Sequence, residues 1–403
     1  MTDTRSAAPA ALVSERIDQL LAELDPTTTD DVAFRRRQFD LGLAWVHFPE
    51  GSGGLDVAPV LQRDVERRLK AAGARTPDAR VFFGLAMAGP TVVTHGSAAE
   101  RDRLLRPMFT GEDAWCQLFS EPGAGSDLAG LAAKAVRDGD EWVITGQKVW
   151  NTLAHIADRG MLVARTDPEA PKHKGMTYFA LDMHAAGVEV RPLRQMTGEA
   201  EFNEVYLTEV RVPDADRIGD VGEGWRVAMT TLSNERTTIG GGSGTPGAGS
   251  GSIAEAVRIW QSHGHRRNPV DRDRLVRLWI EAEVLRLTNI RAGQSRRVGN
   301  PGPEGSIAKL MFAEVNQRIY ELCVELIGAA AMVDYDYTNR RTEQLGLVGP
   351  PGSARKMFLR SRANSIEGGT SEIQRNILGE RVLGLPGEPR IDKEQPWSQV
   401  PRN

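Results

Sequence analysis

The order of hydrophobic patterns along the chain predicts a multidomain α+β protein. An N-terminal α-helical domain is expected over residues 1–114, a central small β-sandwich or barrel over 115–224, and a C-terminal helical bundle over 225–403. Three observations carry this. Apolar residues recur at helical spacing in the first quarter, short β-like runs divided by turn residues fill the stretch from Trp115 to Gly222, and long three- and four-spaced rows return beyond Gly224. At 403 residues the chain can hold about two or three domains.

The bulk numbers exclude several classes. With 40% hydrophobic and 26% charged residues, the composition is that of a globular protein. No apolar run reaches the roughly 18 residues of a membrane span. Met1 to Ala11 lacks an apolar core, so a secretory signal is not expected and a cytoplasmic location is. The net charge of −4 is spread out, against nucleic-acid binding. The densest basic stretch, His263 to Arg267 with Arg272, Arg274 and Arg277, contains Asp271 and Asp273 and reads as a solvated helix start. Cys116 and Cys323 lie far apart in apolar settings, which suits buried core thiols better than a disulfide or a metal site.

Taken in order, Ile17, Leu20, Leu21 and Leu24 give the i, i+3, i+4, i+7 spacing of one buried helix face. The loop Pro49-Glu50-Gly51-Ser52-Gly53-Gly54-Leu55 interrupts that region. The β-like runs are Trp142–Thr145, Met161–Ala164, Met176–Leu181, Val188–Arg191 and Val205–Leu207. Leu275, Leu278, Ala282 and Leu285 then mark one long amphipathic helix, and Ile307, Leu310, Met311, Val315, Ile319 and Leu322 a second. Residues 240–252 hold seven glycines in thirteen, a flexible link or loop tip because so many glycines cost a helix too much entropy.

The most informative segment runs from Gln117 to Gly130. It sets a hydroxyl, a Gly-Ala-Gly-Ser turn and two carboxylates directly after the apolar run at Trp115-Cys116. Such a turn brings backbone N–H groups close to a planar, polar or anionic ligand. Alone, a Pro-Gly pair marks an ordinary turn.

In context the chain resembles the acyl-CoA dehydrogenases over nearly its whole length. The resemblance rests on Phe48 to Leu55, on Gln117 to Asp127, on Gly146-Gln147-Lys148-Val149-Trp150-Asn151-Thr152, and on Glu367-Gly368-Gly369-Thr370-Ser371-Glu372-Ile373-Gln374-Arg375-Asn376, in that order. It implies the acyl-CoA dehydrogenase fold, with an antiparallel four-helix bundle at the C-terminus, an FAD cofactor and an acyl-CoA thioester substrate. By motif position, Gln117, Phe119 and Ser120 would line the isoalloxazine, and Trp150 and Thr152 its far face and N5 edge. Ser126 would touch both cofactor and CoA, while Thr370 and Glu372 would meet the ribityl and adenosine portions. Arg236 and Gly368 join Ser126 as substrate contacts. Trp150 also reads as a core aromatic and Thr152 as a common strand residue.

The chemistry implied is α,β-dehydrogenation: an α-proton passes to a carboxylate and the β-hydrogen to flavin N5 as hydride, with electrons leaving to an electron-transfer flavoprotein. The base needs desolvation to raise its basicity. Most relatives carry it directly before the Gly-Thr-Ser of the C-terminal signature, where this chain has Gly368. Glu367 lies one residue too early, and one step re-aims a side chain by about 100° on a helix or 180° on a strand. A subset, including isovaleryl- and long-chain-type enzymes, places the base on the first helix of the C-terminal domain before an arginine. Here that stretch reads Leu232-Ser233-Asn234-Glu235-Arg236, making Glu235 the expected base and Glu367 the runner-up. An isolated Glu-Arg pair would otherwise read as surface.

Two family motifs are altered. The Arg-x-x-Phe-Gly region reads Gly264 to Val270 without Phe-Gly, and Gln-x-x-Gly-Gly becomes Glu325-Leu326-Ile327-Gly328-Ala329. Both are cross-subunit FAD contacts in the family, where dimers and tetramers are usual, so a homo-oligomer and a hetero-oligomer acting on bulky, steroid-type thioesters both stand. Also open are a non-catalytic partner subunit and an oxidase on the same fold.

Overall fold

The computed structural model describes residues 4–241, 247–263, 268–297, 304–333, 338–346, 353–389 and 392–401. Contacts divide the chain into two compact units, Met1–Arg191 with Phe202–Thr231 and Asp392–Asn403, and Pro192–Glu201 with Leu232–Ile391.

The first unit opens with six helices: α1 (Thr4–Glu23), α2 (Asp31–Asp40), α3 (Gln62–Ala71), α4 (Ala79–Phe83), α5 (Gly89–His95) and α6 (Ala98–Thr110). The face foreseen on α1 is buried: Ile17 and Leu20 are fully enclosed and share a core with Val13, Phe34, Val65 and Leu69. Local signals set the boundaries. Asp30 caps α2 by accepting from the Ala33 N–H at 3.0 Å. Ser97 and Glu100 form a reciprocal capping box on α6, which Gly111 ends in the left-handed region.

Eight strands follow: β1 (Trp115–Leu118), β2 (Lys134–Asp138), β3 (Glu141–Thr152), β4 (Arg159–Arg165), β5 (Met176–Asp182), β6 (Val188–Pro192), β7 (Phe202–Pro213) and β8 (Arg217–Ile218). They join in one hydrogen-bonded mixed sheet of order β6-β7-β3-β2-β4-β5-β8, with β1 parallel to β4. β5 is buried along almost its entire length, which accounts for its unbroken apolar run. β2 has no apolar periodicity because Ala135 alone among its five residues is buried. Trp142, Ile144, Leu162, Phe179, Leu181, Val205 and Leu207 fill the core against the sheet.

The C-terminal helices are α7 (Gly224–Gly241), α8 (Ser252–Ser262), α9 (Pro269–Arg297), α10 (Glu304–Ile327), α11 (Ala354–Arg360) and α12 (Ser371–Arg381). Leu275, Leu278, Val315, Ile319, Leu322 and Cys323 form the core of the second unit with Ile253, Ile259 and Met357. The glycine-rich insert lies partly outside the described residues. Its first two glycines, Gly240 and Gly241, close α7 rather than belonging to a loop, and at its other end the Ser250 N–H donates to the Gly247 carbonyl in a turn before Gly251 leads into α8. The Gly264–Arg267 part of the altered Arg-x-x-Phe-Gly region also lies outside the described residues. Residues 392–403, counted on sequence with the bundle, belong to the first unit, where Trp397 and Asp392 make their contacts.

Candidate functional site

The residues singled out on sequence fall into two groups, one in each unit. In the first unit the Gln117–Gly130 run leaves β1 and crosses a turn closed by mutual Glu121 and Ala124 backbone hydrogen bonds. A buried ion pair pins its start. Lys148 is wholly enclosed on β3, and its three ammonium protons go to Glu121 Oε1 (2.8 Å), the Val163 carbonyl (2.8 Å) and the Phe119 carbonyl (3.1 Å). Burial pushes this ammonium below its ordinary value, opposed by the neighbouring Glu121 charge. The Glu121 carboxylate also accepts from the Ala132 (2.7 Å) and Ala133 (3.0 Å) N–H groups, tying both ends of the loop together.

Thus braced, the loop turns its polar middle outward: Ser126 is exposed, Ser120 and Gln117 half-buried. The Phe119 side chain is in the core, edge-on to Tyr178 with ring centroids 5.9 Å apart. Any contribution of Phe119 to a ligand is therefore through its backbone.

β3 carries the second motif across an irregularity in its pairing with β7, between Lys148 and Asn151. There Trp150 has φ +61°, uncommon for a bulky residue, and its side chain is 58% exposed with its ring edge-on to Phe202. An extra residue in one strand re-aims a side chain out of the alternation. The core reading of Trp150 therefore fails, since a strained backbone presents a large apolar ring to the outside. Asn151, buried beside it, donates to the Gln117 carbonyl at 2.8 Å and links the two motifs; Thr152 is half-buried. Gly146 is required by close approach, because a Cβ there would lie 2.5 Å from that of Ala133. An outward indole on the same strand as the half-buried Thr152, with a fixed loop linked to it through Asn151, suits a flat heteroaromatic ligand with polar substituents.

In the second unit the C-terminal signature forms a turn at Gly368 and Gly369, at φ +64° and +88°, into α12. Thr370 caps that helix by accepting from the Ile373 N–H, while Glu372 is exposed. The turn is held from behind. Lys309, buried on α10, donates to the Asn364 (2.8 Å) and Gly369 (2.5 Å) carbonyls, and the buried Gln374 amide donates to the Gly368 carbonyl at 3.1 Å. Glu367 faces the buried Arg360, which grips it in two-pronged fashion at 3.1 and 2.9 Å, and Asn364 adds a third bond at 2.8 Å. Arg360 also approaches the buried Glu201 at 3.6 Å. Burial raises Glu201 above the usual carboxylate range, with Arg360 pulling the other way.

Glu235 is half-buried on α7. Its charge reaches Lys309: burial pushes that ammonium down, and Glu367, Glu235 and Glu372 pull it back up. The Arg236 side chain lies outside the described residues. Sequence reasoning did not find Lys309, Arg360 or Asn364, and quoted Gln374 only as part of the C-terminal signature. One signal was available, a lysine inside the apolar row from Ile307 to Phe312, since a charge on a core face needs buried partners.

The helices and the mixed sheet define a multidomain α+β protein. Residues 116–210 match the acyl-CoA dehydrogenase middle domain and residues 222–383 the acyl-CoA dehydrogenase C-terminal domain, and the chain belongs to that family of flavoprotein enzymes. It is 36% identical over 357 residues to the acyl-CoA dehydrogenase IpdE1 of Mycobacterium tuberculosis, covering 88% of each chain. To acyl-CoA dehydrogenase FadE34 of the same organism it is 39% identical over 350 residues, 86% of this chain, but it spans only 45% of that protein. Among solved structures, the ChsE4-ChsE5 complex from Mycobacterium tuberculosis matches at TM-score 0.67 and 25% identity, over 96% of this chain and 100% of that one. The Tcur3481-Tcur3483 steroid ACAD matches at TM-score 0.71 and 24% identity, over 95% and 98%, and speaks for the fold alone. No helix among the described residues is long and apolar enough to cross a membrane.

Proposed function

We propose that the protein is an FAD-dependent dehydrogenase that introduces an α,β double bond into an acyl-CoA thioester, with Glu235 as the base. The observation that carries this reading is the engagement of the alternative carboxylate. Glu367 accepts three hydrogen bonds from Arg360 and Asn364, a geometry that engages both of its carboxylate oxygens within the fold. Gly368 beside it has no side chain to offer, which leaves Glu235 on α7.

Gln117, Ser120, Trp150 and Thr152 would hold the flavin ring, Ser126 cofactor and CoA together, and Thr370 and Glu372 the remainder of the FAD. Bound FAD supplies the two-electron acceptor. Glu235 would remove the α-proton, and backbone N–H groups of the Gly368–Gly369 turn, rigid through Lys309 and Gln374, would meet the thioester oxygen with Arg236 nearby. Electrons would leave to an electron-transfer flavoprotein.

Glu235→Gln is expected to purify with FAD bound and to show no bleaching by acyl-CoA under anaerobic conditions, whereas Glu367→Gln loses stability first. Full bleaching in Glu235→Gln would overturn the assignment. A panel of short, branched and sterol-type CoA thioesters in the same assay reads the acyl specificity.

A second reading concerns assembly. Glu325 to Ala329 departs from the family's cross-subunit contact, and the ChsE4-ChsE5 relative is a complex of two chains. We infer that this chain works as one subunit of a heteromeric enzyme for bulky thioesters. Native mass spectrometry of the chain alone and with a co-expressed homologue tests this; a stable, fully flavinated homo-oligomer would refute it.

A further inference from the structure

The segment from Asp392 to Val400 returns to the first unit and lies across the loop that follows Ser126. Trp397 is 8% exposed, and its ring covers the buried Arg165 guanidinium, with 4.7 Å from Cζ to the ring centroid. That guanidinium donates to the carbonyls of Ala129 (2.6 Å) and Leu131 (3.3 Å), and the Trp397 indole N–H donates to the Gly130 carbonyl between them (3.3 Å). Three consecutive carbonyls are thus held by one stacked Arg–Trp pair. On the other side, Lys172 bridges Asp127 (3.1 Å) and Asp392 (2.6 Å), joining the loop to the same segment. Main-chain bonds complete the attachment: the Trp397 N–H donates to Ala170 and the Ser398 N–H to Pro168, at 3.0 and 2.8 Å.

We propose that this segment is a strap belonging to the ligand site, with Trp397 a positioning residue that fixes the Ser126–Leu131 loop for a nucleotide-bearing ligand. The proposal rests on the reading that the Gln117–Gly130 run binds FAD and a CoA thioester. The physical argument is preorganisation. With Ala129, Gly130 and Leu131 carbonyls and the Asp127 carboxylate tied back, and Ala132 and Ala133 N–H groups taken by Glu121, the loop is left to turn its exposed Pro122, Gly123, Gly125 and Ser126 toward a ligand. Ordering it in advance removes an entropic cost that binding would otherwise bear.

The test compares Trp397→Ala, Trp397→Phe and Asp392→Asn with the parent by three readouts. Amide hydrogen exchange over residues 122–131 in the ligand-free protein is expected to quicken about tenfold in Trp397→Ala, and the dissociation constant for FAD to rise by a similar factor of about ten. The rate of flavin reduction at saturating FAD and substrate stays at the parent value, a split that general destabilisation would not give. Trp397→Phe keeps a ring over Arg165 and recovers most of both effects. If Trp397→Ala does not fold, Asp392→Asn, which cuts the outer ion pair alone, is expected to show the same changes at about threefold. Unchanged exchange and unchanged FAD affinity in the folded variants would overturn the proposal. If the parent bound no FAD at all, the functional reading would fall, while the exchange measurement would still decide the strap.

Discussion

Replacing Lys148 by Met would test how the fold holds the Gln117–Gly130 loop. The substitution keeps most of the side-chain volume and removes the ammonium. It leaves the Phe119 and Val163 carbonyls without that donor and the buried Glu121 carboxylate with its two backbone N–H bonds as remaining partners. Breaking a buried ion pair from one side costs about 3–5 kcal/mol, because the surviving charge stays desolvated. In a domain of this size that lowers the melting temperature by roughly 10 °C. Urea unfolding followed by near-ultraviolet circular dichroism would read it, the probe being the aromatic cluster of Phe119 and Tyr178. The double variant Lys148→Met/Glu121→Gln should lose less than the sum of the singles by at least about 1 kcal/mol, since each single strands the other partner. A cost below about 1 kcal/mol for Lys148→Met, or strictly additive losses in the double variant, would refute the clamp.

The remaining predictions read other parts of the two sites. Glu201 has its proton affinity raised in the folded state, chiefly by burial. Its contribution to stability is full below the ordinary carboxylate value and is lost as pH rises through the folded one. Glu201→Gln should therefore flatten the decline of stability from mildly acidic to neutral pH, and parallel melting curves against pH would contradict this. Gly369→Ala places a Cβ 2.7 Å from Gln374 Nε2 at φ +88°, and should cost about 1–3 kcal/mol in the unfolding of the second unit. Trp150→Ala removes a ring that is 58% exposed and should move stability by no more than about 0.5 kcal/mol. It should weaken FAD binding about three- to tenfold in a fluorescence titration, the worth of a lost aromatic contact.

Much of the architecture was legible in the chain. The heptad-like spacing of Ile17 and Leu20, and of Leu275 and Leu278, depends only on local geometry and marks helices wherever one face is buried. β5 announced itself as a continuous apolar run, whereas β2 did not, because Ala135 alone among its residues turns to the core and the rest of its sequence is indistinguishable from a loop. The π-helical turn at Gly84–Ala88 likewise has no pattern of its own.

For the site, sequence alone determined which motifs occur, their order, and that glycine stands where most relatives carry their base. These are properties of neighbouring residues in one dimension. Tertiary structure decided the rest. It directed Glu367 to Arg360 and Asn364, turned the Phe119 ring inward while a pairing irregularity turned Trp150 outward, and brought Trp397 back to Gly130 across more than half the chain. Buried charges such as Lys148, Lys309 and Arg360 gain their meaning from partners far away in sequence, because a desolvated ion is tolerable only where distant segments supply countercharge and carbonyls together.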